Sequence, residues 1–377
     1  MHEPLQGIFL NKIEIPEYVL IIASSARMLA QAAKKSGVKS LVIDVFADGD
    51  TQQYAESYRQ VASLSEQDIS SEVEYFIARY GVSSVVYGSG FEYYPDSLSY
   101  LARRLVVFGN SIDVFLRLQD KLCFFLSLDE LSIPYPEVCF EPPNVLDKWL
   151  IKPFQGQGGL GIQRYTSRKQ THVDVYWQKF QEGTLHSVLF LATGKEVQLV
   201  GFNRQWVISL NESQAFIFSG VINNADLLNE QKNLITRWLE KLVIKFGLKG
   251  LGSLDFIQAG DDFFVLEINP RPSASMQVYN ADLFSRHIKA CQGELTDGYI
   301  KKGYSGYQIV YATEAVTIPE GFQWPDGSMD LPDAGVTCRT GQPICSIIAH
   351  QMQADSVMNE LQTKKINLLK GFNIHGI

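Results

Sequence analysis

The stretch Val265-Leu266-Glu267-Ile268-Asn269-Pro270-Arg271 constrains this chain more than any other. It is an apolar run of strand character, and the oxygen-bearing side chains of Glu267 and Asn269 stand two positions apart, so both leave the strand on one face. A second apolar run, Leu254-Asp255-Phe256-Ile257, precedes it, with the turn residues Gly260, Asp261 and Asp262 between. The pattern predicts a hairpin. A loop centred on Asp261 sets Asp255 directly opposite Glu267 and on the same face. Two like charges so placed repel unless a cation or a basic residue lies between them. Oxygen ligands without His or Cys suit Mg²⁺ or Mn²⁺, and Mg²⁺ is ordinarily held by one or two carboxylates plus substrate phosphates. A nucleotide is the natural companion. The plainer reading is a solvated hairpin with an acidic outer face, and the chain upstream argues against it.

Upstream, Trp149 to Phe154 reads as a strand carrying Lys152, followed at once by Gly156, Gly158, Gly159 and Gly161. The segment GQGGLG satisfies G-x-G-x-x-G, which fits a dinucleotide fingerprint, a kinase-type loop or another phosphate flap. The dinucleotide version needs a helix directly after the glycines, because the pyrophosphate rests on that helix N-terminus. Ile162 to Thr166 reads instead as a strand. Protein kinases use such a hairpin, but neither H-R-D nor D-F-G occurs downstream and no Walker sequence occurs anywhere. What is left is a flap whose backbone N–H groups close over phosphates, or a plain glycine turn between strands.

The N-terminal part alternates strand and helix: Tyr18 to Ala23, a helix over Ala26 to Ser36, Leu41 to Asp44, a helix over Ser65 to Tyr80, and Ser84 to Tyr87. That predicts a small parallel sheet with right-handed crossovers. Ligands collect at the carboxyl ends of such strands, which makes Ser24, Ser25, Arg27 and the Gly88 to Glu92 segment, with Glu92 itself, candidates for a substrate edge. From Ser111 one helical stretch runs through Asp120-Lys121 to Leu131. Val175 to Gly183, Ser187 to Ala192 and Val197 to Phe202 read as antiparallel strands. Ile235 to Gly247 reads as an amphipathic helix backing the Asp255–Glu267 hairpin. Ala281 to Cys291 reads as a further helix. A tail rich in Gly, Pro and β-branched residues follows, closed by a helix over Asp355 to Leu369.

Charge and cysteine usage narrow the function classes. Against 41 acidic residues stand 33 basic ones, and no basic run offers a phosphate-neutralising stripe, so nucleic acid is not expected as a partner. The N-terminus lacks the basic-then-apolar pattern of a leader and no apolar run approaches a membrane span, so a cytoplasmic protein with no membrane partner is expected. The 5 cysteines, odd in number and scattered, fit reduced thiols.

With these parts in order the chain resembles the ATP-grasp superfamily, over roughly Asp120 to Arg271. The resemblance implies a fold that is α/β and α+β. A Rossmann-like N-terminal domain (1–110) leads into a two-lobed ATP-grasp domain (111–295), with a flap lobe near 140–185 and a metal lobe at 186–295. A β-rich C-terminal region (296–377) follows. It implies ATP and Mg²⁺ (or Mn²⁺) as cofactors and assigns roles residue by residue. Lys121 and Lys152 match the two lysines on the nucleotide phosphates, and Gly156, Gly158 and Gly159 fall in the flap. The stretch Gln178, Lys179, Phe180, Gln181 and Glu182 matches the hinge whose backbone reads the adenine edge. Asp255, Glu267 and Asn269 match the metal ligands, and Arg271, catalytic together with Lys152, matches an arginine beside the reacting acyl phosphate. The ribose-binding glutamate of many relatives falls here on Leu185, with Glu182 nearby.

The segments SSARMLAQAA, DVFADGDT and NPRPSAS are most similar to an uncharacterised branch of the superfamily met with pterin- and furan-type one-carbon cofactors. The implied chemistry joins a small-molecule acid, activated as an acyl phosphate, to an amine, in cofactor biosynthesis. A homodimer is compatible with it. Two alternatives stand beside this: an ATP-binding regulatory or assembly protein without turnover, and an ATP-dependent carboxylase. The carboxylase is disfavoured because Pro272-Ser273-Ala274-Ser275-Met276, with no charged group, follows Arg271.

Overall fold

The computed structural model describes residues 15–146, 148–166, 173–279, 281–297 and 303–374. The stretch that was read for a leader lies largely before residue 15, outside them. The chain opens as β1 (Tyr18–Ala23), α1 (Arg27–Lys35), β2 (Lys39–Asp44), α2 (Gly49–Tyr54), β3 (Ser57–Gln60), α3 (Glu66–Tyr80), β4 (Ser84–Tyr87), α4 (Asp96–Arg104) and β5 (Val106–Phe108). These strands form a parallel sheet in the order β3-β2-β1-β4-β5. The central strands β1 and β4 are buried on both faces, which is why they read as continuous apolar runs rather than alternating ones. Short polar α2 and β3 carry no such run and are invisible to periodicity, and β5 is apolar but only three residues long.

The stretch expected as one helix from Ser111 to Leu131 is two, α5 (Ile112–Gln119) and α6 (Lys121–Glu130). The break is chemical. Asp120 leaves helical geometry, and its carboxylate accepts the Cys123 N–H at 3.0 Å as the N-cap of α6. Lys121 is thereby the first residue of a new helix. A four-stranded antiparallel sheet follows, ordered β6-β9-β7-β8 from β6 (Val138–Cys139), β7 (Trp149–Pro153), β8 (Gln163–Arg164) and β9 (Val175–Lys179). Strand β8 pairs back on β7, so the glycine cluster is the loop of a hairpin.

The largest sheet has eight strands ordered β14-β13-β10-β11-β12-β15-β19-β17. They are β10 (Thr184–Thr193), β11 (Val197–Ile208), β12 (Ile217–Asn223), β13 (Lys249–Ala259), β14 (Asp262–Asn269), β15 (Tyr304–Tyr311), β17 (Ser328–Met329) and β19 (Pro343–Gln351). A small pair, β16 (Val316–Thr317) and β18 (Thr337–Cys338), stands apart. The C-terminal strands therefore extend the same sheet that carries the Asp255–Glu267 hairpin. Helix α7 (Asn229–Phe246) covers one face, burying Ile235, Trp238, Leu239, Leu242, Val243 and Phe246 against Val188, Phe190, Leu254, Phe256 and Val265. Each such side chain contributes about 1.5–3 kcal/mol by leaving water. Helix α8 (Leu283–Cys291) covers the other face together with α1, and α9 (Ala354–Gly371) closes the C-terminal end. No helix among the described residues is long and apolar enough to cross a membrane.

One buried histidine joins three of these pieces. His287 of α8 accepts the Leu251 N–H on Nδ1 at 2.8 Å, and its Nε2 lies 3.0 Å from the Phe108 carbonyl, which fixes the neutral tautomer with the proton on Nε2. Burial pushes its pKa down to about 4, partly opposed by the Phe108 carbonyl. In the unfolded chain the imidazole titrates near 6.5, so between about 6.5 and 4 the unfolded state binds the extra proton and stability falls as pH drops. His287→Asn is expected to lose about 2–4 kcal/mol at pH 7.5. Urea unfolding should show the gap to the native protein narrowing by roughly 1.4 kcal/mol per pH unit below 6.5; a gap independent of pH would contradict the neutral buried ring.

Candidate active site

The hairpin of β13 and β14 sets the geometry. Asp255 pairs with Glu267 and Ser253 with Asn269, so the side chains expected to converge stand on one face. The route there differs from a loop centred on Asp261. Ala259 pairs with Asp262 across the two-residue loop Gly260-Asp261, with Gly260 left-handed at φ 64°. Unbroken pairing from that loop would place Leu266 opposite Asp255 and turn Glu267 toward the core. A bulge between Phe256 and Asp255 takes up Leu266 as the extra residue, restoring Asp255–Glu267 while Val265 and Ile268 both stay in the core.

Within the site, Asn269 turns its amide nitrogen toward Asp255 Oδ2 at 3.1 Å and Ser253 Oγ at 3.3 Å, which leaves its carbonyl oxygen as the free end. Gln205 Nε2 reaches Asp255 Oδ1 at 3.5 Å. Desolvation, followed by the facing charge of Glu267, pushes the Asp255 carboxyl well above the usual carboxylate range. An oxygen-only set with two repelling carboxylates fits a hard divalent cation. Among the described residues no group of three or more His, Cys, Asp or Glu that could hold a metal ion comes together.

Lys152 approaches from β7 of the smaller sheet. Its ammonium donates to Gln178 Oε1 at 3.1 Å. Burial lowers its pKa, offset in part by the charges of Glu267 and Asp255, which places it within electrostatic reach of the pair. Because an ammonium only donates, Gln178 must present its oxygen to Lys152, and its buried Nε2 finds no partner among the described residues. Lys121 sits half-buried at the start of α6, near enough for its charge to act on Tyr176, which lies beside Lys152.

The glycine loop is folded down on the larger sheet. Gly158 O accepts the Phe218 N–H at 2.9 Å, and a Cβ on Gly159 would fall 1.9 Å from Phe216 O, so only glycine allows this approach. Gly158, Gly159 and Gly161 are all left-handed, whereas Gly156 is not. Just beyond the loop the Arg164 guanidinium lies 4.3 Å from the Phe180 ring and 5.8 Å from that of Phe216.

Along the hinge, Lys179 points outward to an exposed ion pair with Glu137 at 2.9 Å. The backbone N–H groups of Lys179 and Phe180 are already bonded to Glu137 O and Lys148 O. Gln181 is half-buried, and its side chain bonds Glu182 O at 3.3 Å. Glu182 is exposed.

The N-terminal candidates divide. Glu92 is brought to Arg271: Arg271 Nε and Nη2 both meet its Oε1 at 2.5 Å, and Gly90 N–H holds its Oε2 at 2.8 Å. Ser24 borders the same loop, donating its N–H to Ser89 O at 2.8 Å, and Ser25 beside it is half-buried. Arg27 lies elsewhere. Its guanidinium is 1% exposed and bonded to Asp330 at 2.8 Å, with Asp50 at 3.7 Å and Gln277 also in contact. That network ties α1 to the C-terminal strands, and burial of Arg27 is outweighed by the facing Asp330 charge, which keeps the guanidinium protonated.

Sequence reasoning passed over a row of polar residues that crosses the sheet in register with Asp255: Ser187, Asn203 and Asn223. Asn203 donates to Ser187 Oγ at 3.1 Å and accepts the Tyr279 hydroxyl at 2.6 Å, while Asn223 donates to Val278 O at 3.3 Å. The row pins the segment after Arg271 onto the sheet. Its signal was present in Asn203 and Gln205, two amides on one face of β11.

Comparison with known proteins bears on the fold. Residues 118–275 match the family model of the ATP-grasp domain. The biotin carboxylase domain of Hydrogenobacter thermophilus 2-oxoglutarate carboxylase, solved with MgADP, ADP and bicarbonate, superposes with a TM-score of 0.72 at 15% identity, over 92% of this chain and 89% of that one. N5-carboxyaminoimidazole ribonucleotide synthetase from Thermotoga maritima gives 0.68 at 15%, over 94% and 98%. The L-amino acid ligase of Bacillus licheniformis gives 0.69 at 13%, over 94% and 98%. At such identities these likenesses establish the fold.

The repulsion between Asp255 and Glu267 should be measurable without any ligand. A carboxyl whose folded pKa is raised costs stability as pH climbs from its unfolded value toward its folded one, and the cost is complete above the latter. Asp255→Asn is therefore expected to stabilise the metal-free protein by about 1–3 kcal/mol at pH 8.5 and by much less at pH 5. Urea unfolding at the two pH values checks this; equal effects at both would show that the pair is not repulsive.

Proposed function

From an ATP-grasp fold whose family domain spans residues 118–275, we propose that this protein is an ADP-forming ligase. It activates a carboxylate as an acyl phosphate and joins it to the amine of a small metabolite. The observation that carries this is the pairing of Asp255 with Glu267 beside Asn269, whose side-chain amide bonds Asp255. In this reading Asp255, Glu267 and the Asn269 carbonyl would hold Mg²⁺, which would supply charge neutralisation to nucleotide phosphates. Lys121 and Lys152 bind phosphate oxygens, and the Gly156–Gly161 loop excludes water from a hydrolysable intermediate. The hinge offers adenine the Gln181 N–H rather than those of Lys179 and Phe180, which are already used. Arg271 keeps its Nη1 edge for the oxyanion that forms as nitrogen adds.

The carboxylase alternative shares every one of these roles and differs in taking bicarbonate as the acid. The segment after Arg271 offers hydroxyls, with Ser273 Oγ 2.9 Å from Ser275 Oγ, and no further charge, which favours an organic acid. Cofactor biosynthesis and a one-carbon context rest on the resemblance of the segments SSARMLAQAA, DVFADGDT and NPRPSAS alone. A cytoplasmic homodimer is part of the same proposal.

Purified protein with Mg-ATP should release ADP only when an acid and an amine are both present, scanned over a panel that includes glutamate and tyramine. Lys152→Ala should cut that rate at least ~100-fold. ADP release stimulated by bicarbonate alone would move the assignment to the carboxylase, and no release with any pair would leave nucleotide binding without turnover.

A further inference from the structure

The two cationic side chains assigned to this site, Lys152 and Arg271, each have another partner. Lys152 is bonded to the neutral Gln178 amide. Arg271, only 9% exposed, gives Nε and Nη2 to Glu92, a residue that reaches in from the loop after β4 in a different sheet. That loop is built to deliver a carboxylate. Gly90 is left-handed at φ 107°, and a Cβ there would lie 2.0 Å from Ser24 Oγ. Its N–H clamps Glu92 Oε2, while Gln119 Nε2 holds the Glu92 carbonyl at 2.8 Å. The remaining edge of Arg271 makes one long contact, Nη1 to Pro272 O at 3.4 Å.

Arg271 lies two residues beyond Asn269, whose side-chain amide donates to Asp255 Oδ2 at 3.1 Å. A buried guanidinium stripped of its partner has to find another carboxylate, because an uncompensated buried charge is strongly unfavourable. We propose that Glu92 is a positioning residue: it holds Arg271 off the Asp255–Glu267 pair, so that the two carboxylates stay free for a divalent cation and the Nη1 edge of Arg271 stays free for an anionic reactant. This rests on the metal-site reading given above. Removing Glu92 lets Arg271 compete with the metal for the same oxygens.

The test needs no substrate. Mn²⁺ is titrated into the metal-free full-length protein and the free ion followed by its paramagnetic resonance signal, with circular dichroism confirming the fold of each variant. Glu92→Ala should weaken Mn²⁺ binding about tenfold, and Glu92→Gln, which keeps an acceptor but loses the charge, should fall between. In the double variant Glu92→Ala/Arg271→Ala the affinity should return to within about threefold of the native protein. Native affinity in Glu92→Ala, or a double variant as weak as the single, would overturn the proposal. Should Glu92→Ala not fold, the Gln variant and the double variant decide in the same way. A native protein that takes up no Mn²⁺ would contradict the metal site itself, and with it this inference, whereas equal uptake by all variants contradicts only the role of Glu92.

Discussion

Asp255 and Glu267 face each other across a hairpin, on the side of the sheet away from α7, with no ion pair to either among the described residues. Such a contact costs free energy in the bare protein. The structure holds it in place from several directions. Helix α7 and the apolar face of β13 and β14 fix the strands, the bulge at Leu266 sets the register, and Asn269 and Gln205 bond Asp255 from the sides.

The surrounding charges are organised around the same pair. Each nearby cation has its own partner, Gln178 for Lys152 and Glu92 for Arg271, and those partners come from two other sheets. The site is consequently a meeting point of the N-terminal parallel sheet, the glycine-loop sheet and the eight-stranded sheet. The elements that hold the three together lie away from the chemistry. His287 bridges α8, β13 and β5, and the buried Arg27–Asp330–Asp50 network fastens α1 and α2 to the C-terminal strands. Arg27 was a substrate candidate on sequence because it follows a strand end, but a guanidinium bonded on several sides serves packing.

Much of this could be read from the chain. Strands with long apolar runs and helices with clear stripes, such as β1, β4 and α7, announce themselves because burial alone dictates their pattern. The Asp255–Glu267 opposition could be read as well, though the loop estimate was half a residue off and the bulge made up the difference; a bulge has no local sequence mark here. The Asp120 break was hidden because a capping aspartate inside a helical composition looks like one more polar residue. The Glu92–Arg271 pair was out of reach, since partners 179 residues apart are joined by topology rather than pattern. The same holds for Ser187, Asn203 and Asn223, whose row exists only once the strand order is known.

The central claim is that the facing carboxylates exist to hold a cation against a nucleotide. Calorimetric titration of a non-hydrolysable ATP analogue into the native protein and into Glu267→Gln, each with and without Mg²⁺, tests it directly. The account predicts that Mg²⁺ tightens binding to the native protein by at least ~10-fold and has little effect on Glu267→Gln. Equal Mg²⁺ dependence in the two proteins would contradict it.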